Sequence, residues 1–392
     1  MKTYKIIKGV YIHTPFCLQK CLYCDFPSYA GFSAAARERY VSALCGEIAQ
    51  RAAGEMEQGP KVAETATVYF GGGTPTTLSP RKIGRIVRCL KENGWWKEPA
   101  EATIEANPGT VTTADLVELR RMGFDRISFG VQSFQEAEIK ALGRIHTAQQ
   151  AQEAVRWAQE AGFRRINIDL MSGIPGQTAA SWQDTLAKAT ALGTEHISAY
   201  SLILEAGTPL DALVAQGKIV LPTEEESLEM YEMTTAILEE NGLRRYEISN
   251  YARPGCESRH NLLYWHYEPY AAFGAGACTF TGQLRYTNTA DVDTYLRYWE
   301  AENRGGWADY RESEPLSPEI RLAEAIIMGL RVTEGLSLSG MEQRFGVDIL
   351  TRFGRELDPF FKKMMLARQG DRLYLTPYGM RFGNQVFAAF LP

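Results

Sequence analysis

Read for the spacing of its apolar positions, the first half of the chain alternates between two periods. Short runs suited to burial fall at 6–13, 67–70, 102–105, 126–130, 165–171 and 196–203, as strands do. Between them, apolar residues recur at three- and four-residue intervals over 33–53, 80–93, 112–122, 147–161 and 178–192, the stripe of a helix packed on one face. Gly94, Gly123, Gly162 and Gly193 each follow one of these helices, as C-cap glycines do. Six strand–helix units in a row predict parallel strands covered by helices. A doubly wound sheet and a (β/α) barrel both satisfy that pattern.

After residue 205 the pattern loosens. Residues 224–241 read as a helix, 246–251 as a strand, and 264–270 are crowded with aromatics. From Leu316 the pattern is helical and ends in a hairpin-like Asp371-Arg372-Leu373-Tyr374-Leu375-Thr376. Helix, helix and wing predict a small winged-helix-like domain. The expected division is a core over 1–205, an extension over 206–312 and a C-terminal domain over 313–392. A length of 392 residues also predicts one large and one smaller domain.

The net charge of −5 is mild and no basic block is present, which argues against nucleic acid or anionic lipid as a partner. From Ser317 onward ten Lys and Arg face eight Asp and Glu, so the last domain reads as a cover or partner surface rather than a DNA reader. No apolar run reaches the roughly 18 residues of a membrane span. Met1-Lys2-Thr3-Tyr4-Lys5 leads straight into the first strand without a secretory layout. Of seven cysteines, three are clustered, which fits a reducing compartment and a cytoplasmic location. Cys45 and Cys89 fall in helical patterns and read as small core residues.

The clustered cysteines are Cys17, Cys21 and Cys24, in Cys17-Leu18-Gln19-Lys20-Cys21-Leu22-Tyr23-Cys24. They follow the first strand, where a loop can turn three sulfurs toward one centre. Thiolates suit iron–sulfur clusters and zinc. Three thiolates on a four-iron cubane leave one iron free for another ligand. A structural zinc site wants four ligands, which His13 or Asp25 can complete. Three unconnected buried cysteines satisfy the spacing equally.

Cys-x3-Cys-x2-Cys, preceded by Tyr11-Ile12-His13-Thr14-Pro15-Phe16, resembles the signature of radical S-adenosylmethionine (SAM) proteins. Gly71-Gly72-Gly73-Thr74-Pro75-Thr76 and Ile104-Glu105-Ala106-Asn107-Pro108 follow in the order that superfamily uses. The resemblance spans nearly the whole chain and narrows to the HemW-type haem chaperones, close relatives of the oxygen-independent coproporphyrinogen III dehydrogenase of porphyrin biosynthesis. It implies an α/β fold, an open (β/α)6 partial TIM barrel, with motifs at the C-terminal rim where barrel proteins collect functional residues. It also implies a 4Fe–4S cluster held by Cys17, Cys21 and Cys24, and SAM chelated to the free iron for reductive cleavage.

The residue chemistry agrees with those roles. Successive glycines let backbone approach a ligand closely, and the resemblance gives Gly72, Gly73 and Thr74 the amino-acid end of SAM. A carboxylate at a barrel rim, as at Glu105, is costly to bury unpaired, and the SAM ammonium satisfies it. Arg144 can grip a carboxylate bidentately. By resemblance Gln132 and Asp169 face the ribose, Arg144 the SAM carboxylate, and Tyr11 and Tyr23 are further contacts. His13 and His146 read as structural histidines.

Two functions share these features: a haem chaperone, and the dehydrogenase that decarboxylates coproporphyrinogen III. The dehydrogenase pattern has a fourth Cys where Phe26 stands here, and a sizeable extension where only sixteen residues precede Cys17. The stretch His260-Asn261-Leu262-Leu263-Tyr264-Trp265 matches the HNxxYW pattern tied to haem in the chaperone branch. Neutral imidazole is a good axial ligand for haem iron, with aromatics as a flat wall. His260 is the expected ligand, near the open rim, with Cys256, His266 and Cys278 as alternatives. The implied partners are haem, recipient haemoproteins and an electron donor.

Overall fold

The structure, a computed structural model, describes residues 6–54, 61–302, 306 and 309–391. Met1 to Lys5, read above as leading into the first strand, lie outside the described residues. Six parallel strands form the barrel wall: β1 (Ile7–Thr14), β2 (Val62–Gly72), β3 (Glu101–Ala106), β4 (Arg126–Gln132), β5 (Arg165–Ser172) and β6 (His196–Ser201). The intervening helices are α1 (Ala34–Gly54), α2 (Pro80–Glu92), α3 (Thr113–Met122), α4 (Glu136–Ala141), α5 (Ala148–Glu160) and α6 (Ala179–Ala191). Helices α3, α5 and α6 each open with a Thr whose hydroxyl and third-residue partner close a capping box. The six units therefore arise as the spacing predicts. The short α4 does not appear in the periodic reading, because six residues carry less than two turns of pattern.

The region read as irregular extends the same sheet at both edges. Beyond β6 come α7 (Pro209–Ala215), α8 (Glu224–Glu240), β7 (Arg244–Arg245) and β8 (Asn250–Ala252). Of the strand expected over 246–251, residues 250 and 251 belong to β8, while 246–249 form a tight turn: the Tyr246 amide donates to the Asn250 carbonyl, and the Glu247 carboxylate accepts from the Ser249 amide. After α9 (Arg259–Trp265) come β9 (Tyr270–Phe273), β10 (Cys278–Phe280), β11 (Leu284–Asn288), α10 (Val292–Glu300) and β12 (Arg311–Pro315). Strand β9 runs parallel to β1, so the twelve-stranded order is β12-β11-β10-β9-β1-β2-β3-β4-β5-β6-β8-β7. The C-terminal region holds α11 (Pro318–Gly329), β13 (Leu336–Ser337), α12 (Leu338–Phe345), α13 (Ile349–Lys362), β14 (Leu366–Gln369) and β15 (Arg372–Leu375). Its sheet, β13-β15-β14, is the expected wing. Two short helices, Pro377–Arg381 and Gly383–Phe387, follow it and fold Val386 and Phe387 back into its core.

The faces of the barrel strands differ. Val10, Ile12, Phe70, Ile104, Ile127 and Ile168 point outward into a continuous core under the helices. The inner face is polar. Asn167 donates to Ser128, Asp169 and Ser198 at 2.7–3.0 Å, and its carbonyl meets His196 at 2.6 Å. Helix α9 closes the N-terminal end of this interior. The Glu101 carboxylate accepts from the backbone amides of Arg259 and His260 in its first turn, where an anion complements the free amides. Gly9 makes room for it: a Cβ there would lie 2.8 Å from Leu263 and 3.2 Å from His260.

His260 is thus a floor residue, not a rim residue. It is buried, with Nδ1 at 2.6 Å from the Thr67 hydroxyl and Nε2 at 2.8 Å from the Tyr264 hydroxyl. The expected position near the open rim is corrected, because the motif forms a helix seated against the first residues of β1, β2 and β3. Burial pushes the imidazole down to about 3, so it stays neutral. Replacing His260 by Ala orphans two buried hydroxyls and is expected to cost about 2–4 kcal/mol of stability, read from urea unfolding; a loss below the error of that measurement would contradict the floor role.

Candidate functional site

The cysteine loop links β1 to α1 and is pinned at both ends. The Cys17 amide donates to the Tyr29 carbonyl at 2.9 Å, and the Tyr29 amide to Pro15 at 2.8 Å. The glycine loop after β2 runs beside it: the amides of Gly73 and Thr74 donate to the carbonyls of Thr14 and Phe16 at 2.7 and 2.8 Å. No side chain fits in that seam. A Cβ on Gly72 would lie 2.7 Å from the His13 ring, and one on Gly73 would lie 2.7 Å from the Phe16 carbonyl oxygen and 3.0 Å from the Cys17 sulfur. Gly72 also has φ of 109°, open to glycine at little cost.

From Cys17 a chain of polar contacts crosses the rim. The Thr74 hydroxyl lies 3.7 Å from the Cys17 sulfur and accepts from the Asn107 amide at 2.8 Å. Asn107 in turn accepts from Arg144 at 2.7 Å, and Arg144 donates to the Tyr23 hydroxyl at 3.0 Å. Gly130 permits this crossing, since a Cβ there would lie 2.8 Å from Asn107. The Arg144 Nε is buried with no hydrogen-bond partner, a donor left for an anionic group. Burial raises the Cys21 thiol and Arg144 opposes that rise; burial likewise pushes Tyr23 up to about 12.

Two carboxylates stand on the inner wall. Glu105 accepts from the Tyr69 hydroxyl at 2.7 Å and from the Gly72 amide. Burial pushes it up to about 7, with nearby Asp169 adding to the rise. Asp169 accepts from Asn167 at 2.7 Å and from Ser128 at 3.2 Å, and burial raises it too. Gln132 follows a bulge in β4 and holds φ of 68°, a conformation a non-glycine residue keeps only where its surroundings impose it. Tyr11 stacks on Tyr69 at 6.0 Å, and its hydroxyl meets His13 Nδ1 at 3.3 Å.

Of the residues expected at the cluster and SAM, Cys17, Gly73 and Thr74 meet at the seam, and Asn107 joins them to Arg144 and Tyr23. Among the described residues no three His, Cys, Asp or Glu side chains converge to hold a metal ion. Tyr11 reaches inward to within 6.5 Å of the His260 ring, which lies at the far end. His13 and His146 each bond a backbone carbonyl, of Pro27 and Val131, as structural histidines do. Asp25, the other candidate zinc ligand, is exposed. Tyr69 and Asn107 are site residues the sequence reading left without a role. The signal for Tyr69 was its alternation: two residues before Gly71, it shares the inner face of β2.

A barrel of this topology, with three loop thiols beside a glycine seam and buried carboxylates, defines the radical SAM class. The model of the Radical SAM superfamily matches residues 11–189, and that of the HemN C-terminal domain residues 316–382. The heme chaperone HemW of Bacillus subtilis (strain 168) is 35% identical, over 98% of this chain and 99% of that protein. The heme chaperone HemW of Escherichia coli (strain K12) is 34% identical, over 98% of each. The chain belongs to this HemW family of radical SAM proteins. The solved structure of coproporphyrinogen III oxidase (HemN) from Escherichia coli superposes with a TM-score of 0.84 at 23% identity, covering 99% of this chain and 91% of that one, a likeness of fold. Membership brings with it a 4Fe–4S cluster and SAM as cofactors.

If Glu105 meets the SAM ammonium, as the resemblance implies, its protonation makes SAM binding depend on pH. Below about 7 it carries a proton, and its attraction for an ammonium group is lost. SAM affinity is expected to rise with pH through 7. In Tyr69→Phe, which removes a bond to the ionised form, the rise should move to higher pH. Calorimetry at several pH values reads both; coincident pH profiles would exclude Tyr69 as the group that sets Glu105.

Proposed function

We propose that this protein is a haem chaperone, which binds haem and passes it to recipient haemoproteins, with a cluster held by Cys17, Cys21 and Cys24 and SAM beside it. The observation that carries the cofactor assignment is the seam of Gly73 against Phe16 and Cys17, with Gly72 against the His13 ring, too close for any Cβ. Gly72, Gly73, Thr74 and Glu105 would hold the amino-acid end of SAM, Arg144 its carboxylate, and Gln132 and Asp169 its ribose. Tyr11 and Tyr23 flank them. When bound, the cluster and SAM supply a one-electron reduction of the sulfonium. The protein's part is to orient them: Tyr69 fixes Glu105, and Asn107 and Tyr23 fix Arg144. An electron donor is required for the cluster to be reduced.

The haem reading is supported by the full-length likeness to proteins named heme chaperone and by Phe26, 62% exposed at the cluster loop, where the dehydrogenase pattern has a fourth Cys. For haem iron, His260 presents no free nitrogen while α9 lies in the floor. His266, just past the helix, is exposed beside Glu334, and is the more accessible imidazole of this stretch.

Four measurements test this. Each single Cys→Ala change in the loop should abolish cluster assembly on anaerobic reconstitution; near-stoichiometric iron in any of them would refute that ligand. Haem titration should give a Soret shift in the wild type that His266→Ala weakens; if only His260→Ala changes it, in protein still folded under the assay conditions, α9 must leave the floor to bind. Incubation of the haem-loaded protein with an apo-haemoprotein should move haem to the acceptor, and anaerobic incubation with coproporphyrinogen III, SAM and reductant should give no protoporphyrinogen. Turnover in the second assay with no transfer in the first would favour the dehydrogenase.

A further inference from the structure

Two thiols take no part in the site and meet elsewhere. Cys45 on α1 and Cys89 on α2 face one another across the packed helices, each half-buried rather than in the core. The Cys89 S–H donates to the Cys45 carbonyl oxygen at 3.4 Å, which sets the two residues side by side. The Asn93 side-chain amide donates to the Cys89 sulfur at 3.6 Å. Cys89 thus donates its S–H to the Cys45 carbonyl and accepts the Asn93 N–H. Cys45 and Asn93 draw the Cys89 thiol below its ordinary value, while burial and Glu92 oppose that. Around them α1 and α2 are tied by ion pairs, Glu38 with both Lys82 and Arg85, so the sulfurs are held in register.

We propose that Cys45 and Cys89 form a site of oxidative modification, a dithiol that closes to a disulfide when the protein meets a peroxide. The Cys89 thiolate attacks one peroxide oxygen; the O–O bond breaks, an S–O bond forms, and the leaving hydroxide takes a proton to become water. The Cys45 sulfur then attacks the sulfenic sulfur of Cys89. The S–S bond forms, the S–O bond breaks, and a second water leaves with the Cys45 proton. Two thiols and one hydrogen peroxide give one disulfide and two waters. The bond would tie the helix that leaves the cysteine loop to the helix that leaves the glycine seam, two elements already in contact through Arg37 and the Thr77 carbonyl at 3.3 Å.

The test uses the full chain with its cluster reconstituted anaerobically. It is treated with stoichiometric hydrogen peroxide, alkylated, digested without reductant and mapped by mass spectrometry. A peptide pair joined through Cys45 and Cys89, released by dithiothreitol, is expected. In Cys45→Ser the pair cannot close, and Cys89 should instead be captured by dimedone as a sulfenic acid, several-fold above its labelling in the wild type. Both cysteines recovered singly alkylated after peroxide, or Cys89 found joined to a cluster cysteine, would overturn the assignment. Equal dimedone labelling of Cys89 in the two proteins would overturn it as well.

Discussion

The rim depends on one close approach. Where β2 ends, the backbone passes four neighbours in three residues: Tyr69 and Glu105 at Gly71, the His13 ring at Gly72, and the cysteine loop at Gly73. A single added methyl group would force apart the thiolate loop, the cofactor seam or the acidic wall. Because the same amides that follow this path extend the pairing of β1 with β2, the position of Cys17 is tied directly to the hydrogen bonding of the sheet. The loop that carries the chemistry is held by strand geometry rather than by its own turn.

How much of this the sequence disclosed follows from how local each feature is. The six strand–helix units, the cysteine loop and the glycine run are written in periodicity and spacing, so their place at one rim was legible. Cys45 and Cys89 show the limit from the other side: each reads as a core residue of its own helix, and only the α1–α2 contact reveals that they meet half-exposed. The position expected for His260 was wrong for a similar reason. A His with aromatics four and five residues later looks like a ligand with a wall, but the partners that claim its nitrogens include Thr67, 193 residues away. The strand expected over 246–251 begins only at Asn250, because the buried Glu247 carboxylate rewards a turn before it.

The two ends of the barrel have opposite electrostatic character. At the floor, Glu101 is spent on the first turn of α9 and His260 is neutral. At the rim, Glu105 and Asp169 are held above their ordinary range by burial, so a cation arriving there relieves a cost already present in the fold. Tyr69 spans the two: it stacks on His260 at 4.9 Å and donates to Glu105. Tyr69 thus links the seat of α9 to Glu105, the group proposed to meet the ammonium.

The central position of β1 has a kinetic side. Its one edge pairs with β2, some sixty residues on, but its other edge pairs with β9, where Gly9 is opposite Tyr270. Until about two-thirds of the chain has left the ribosome, that edge has no native partner, although Val10 and Ile12 flank it with apolar surface. Contacts of such sequence separation form slowly, and an unpaired apolar edge invites pairing with another chain. The nascent protein is thus most vulnerable to aggregation at the strand that leads into its cluster, and the metal-binding loop is among the last parts of the barrel to be fixed.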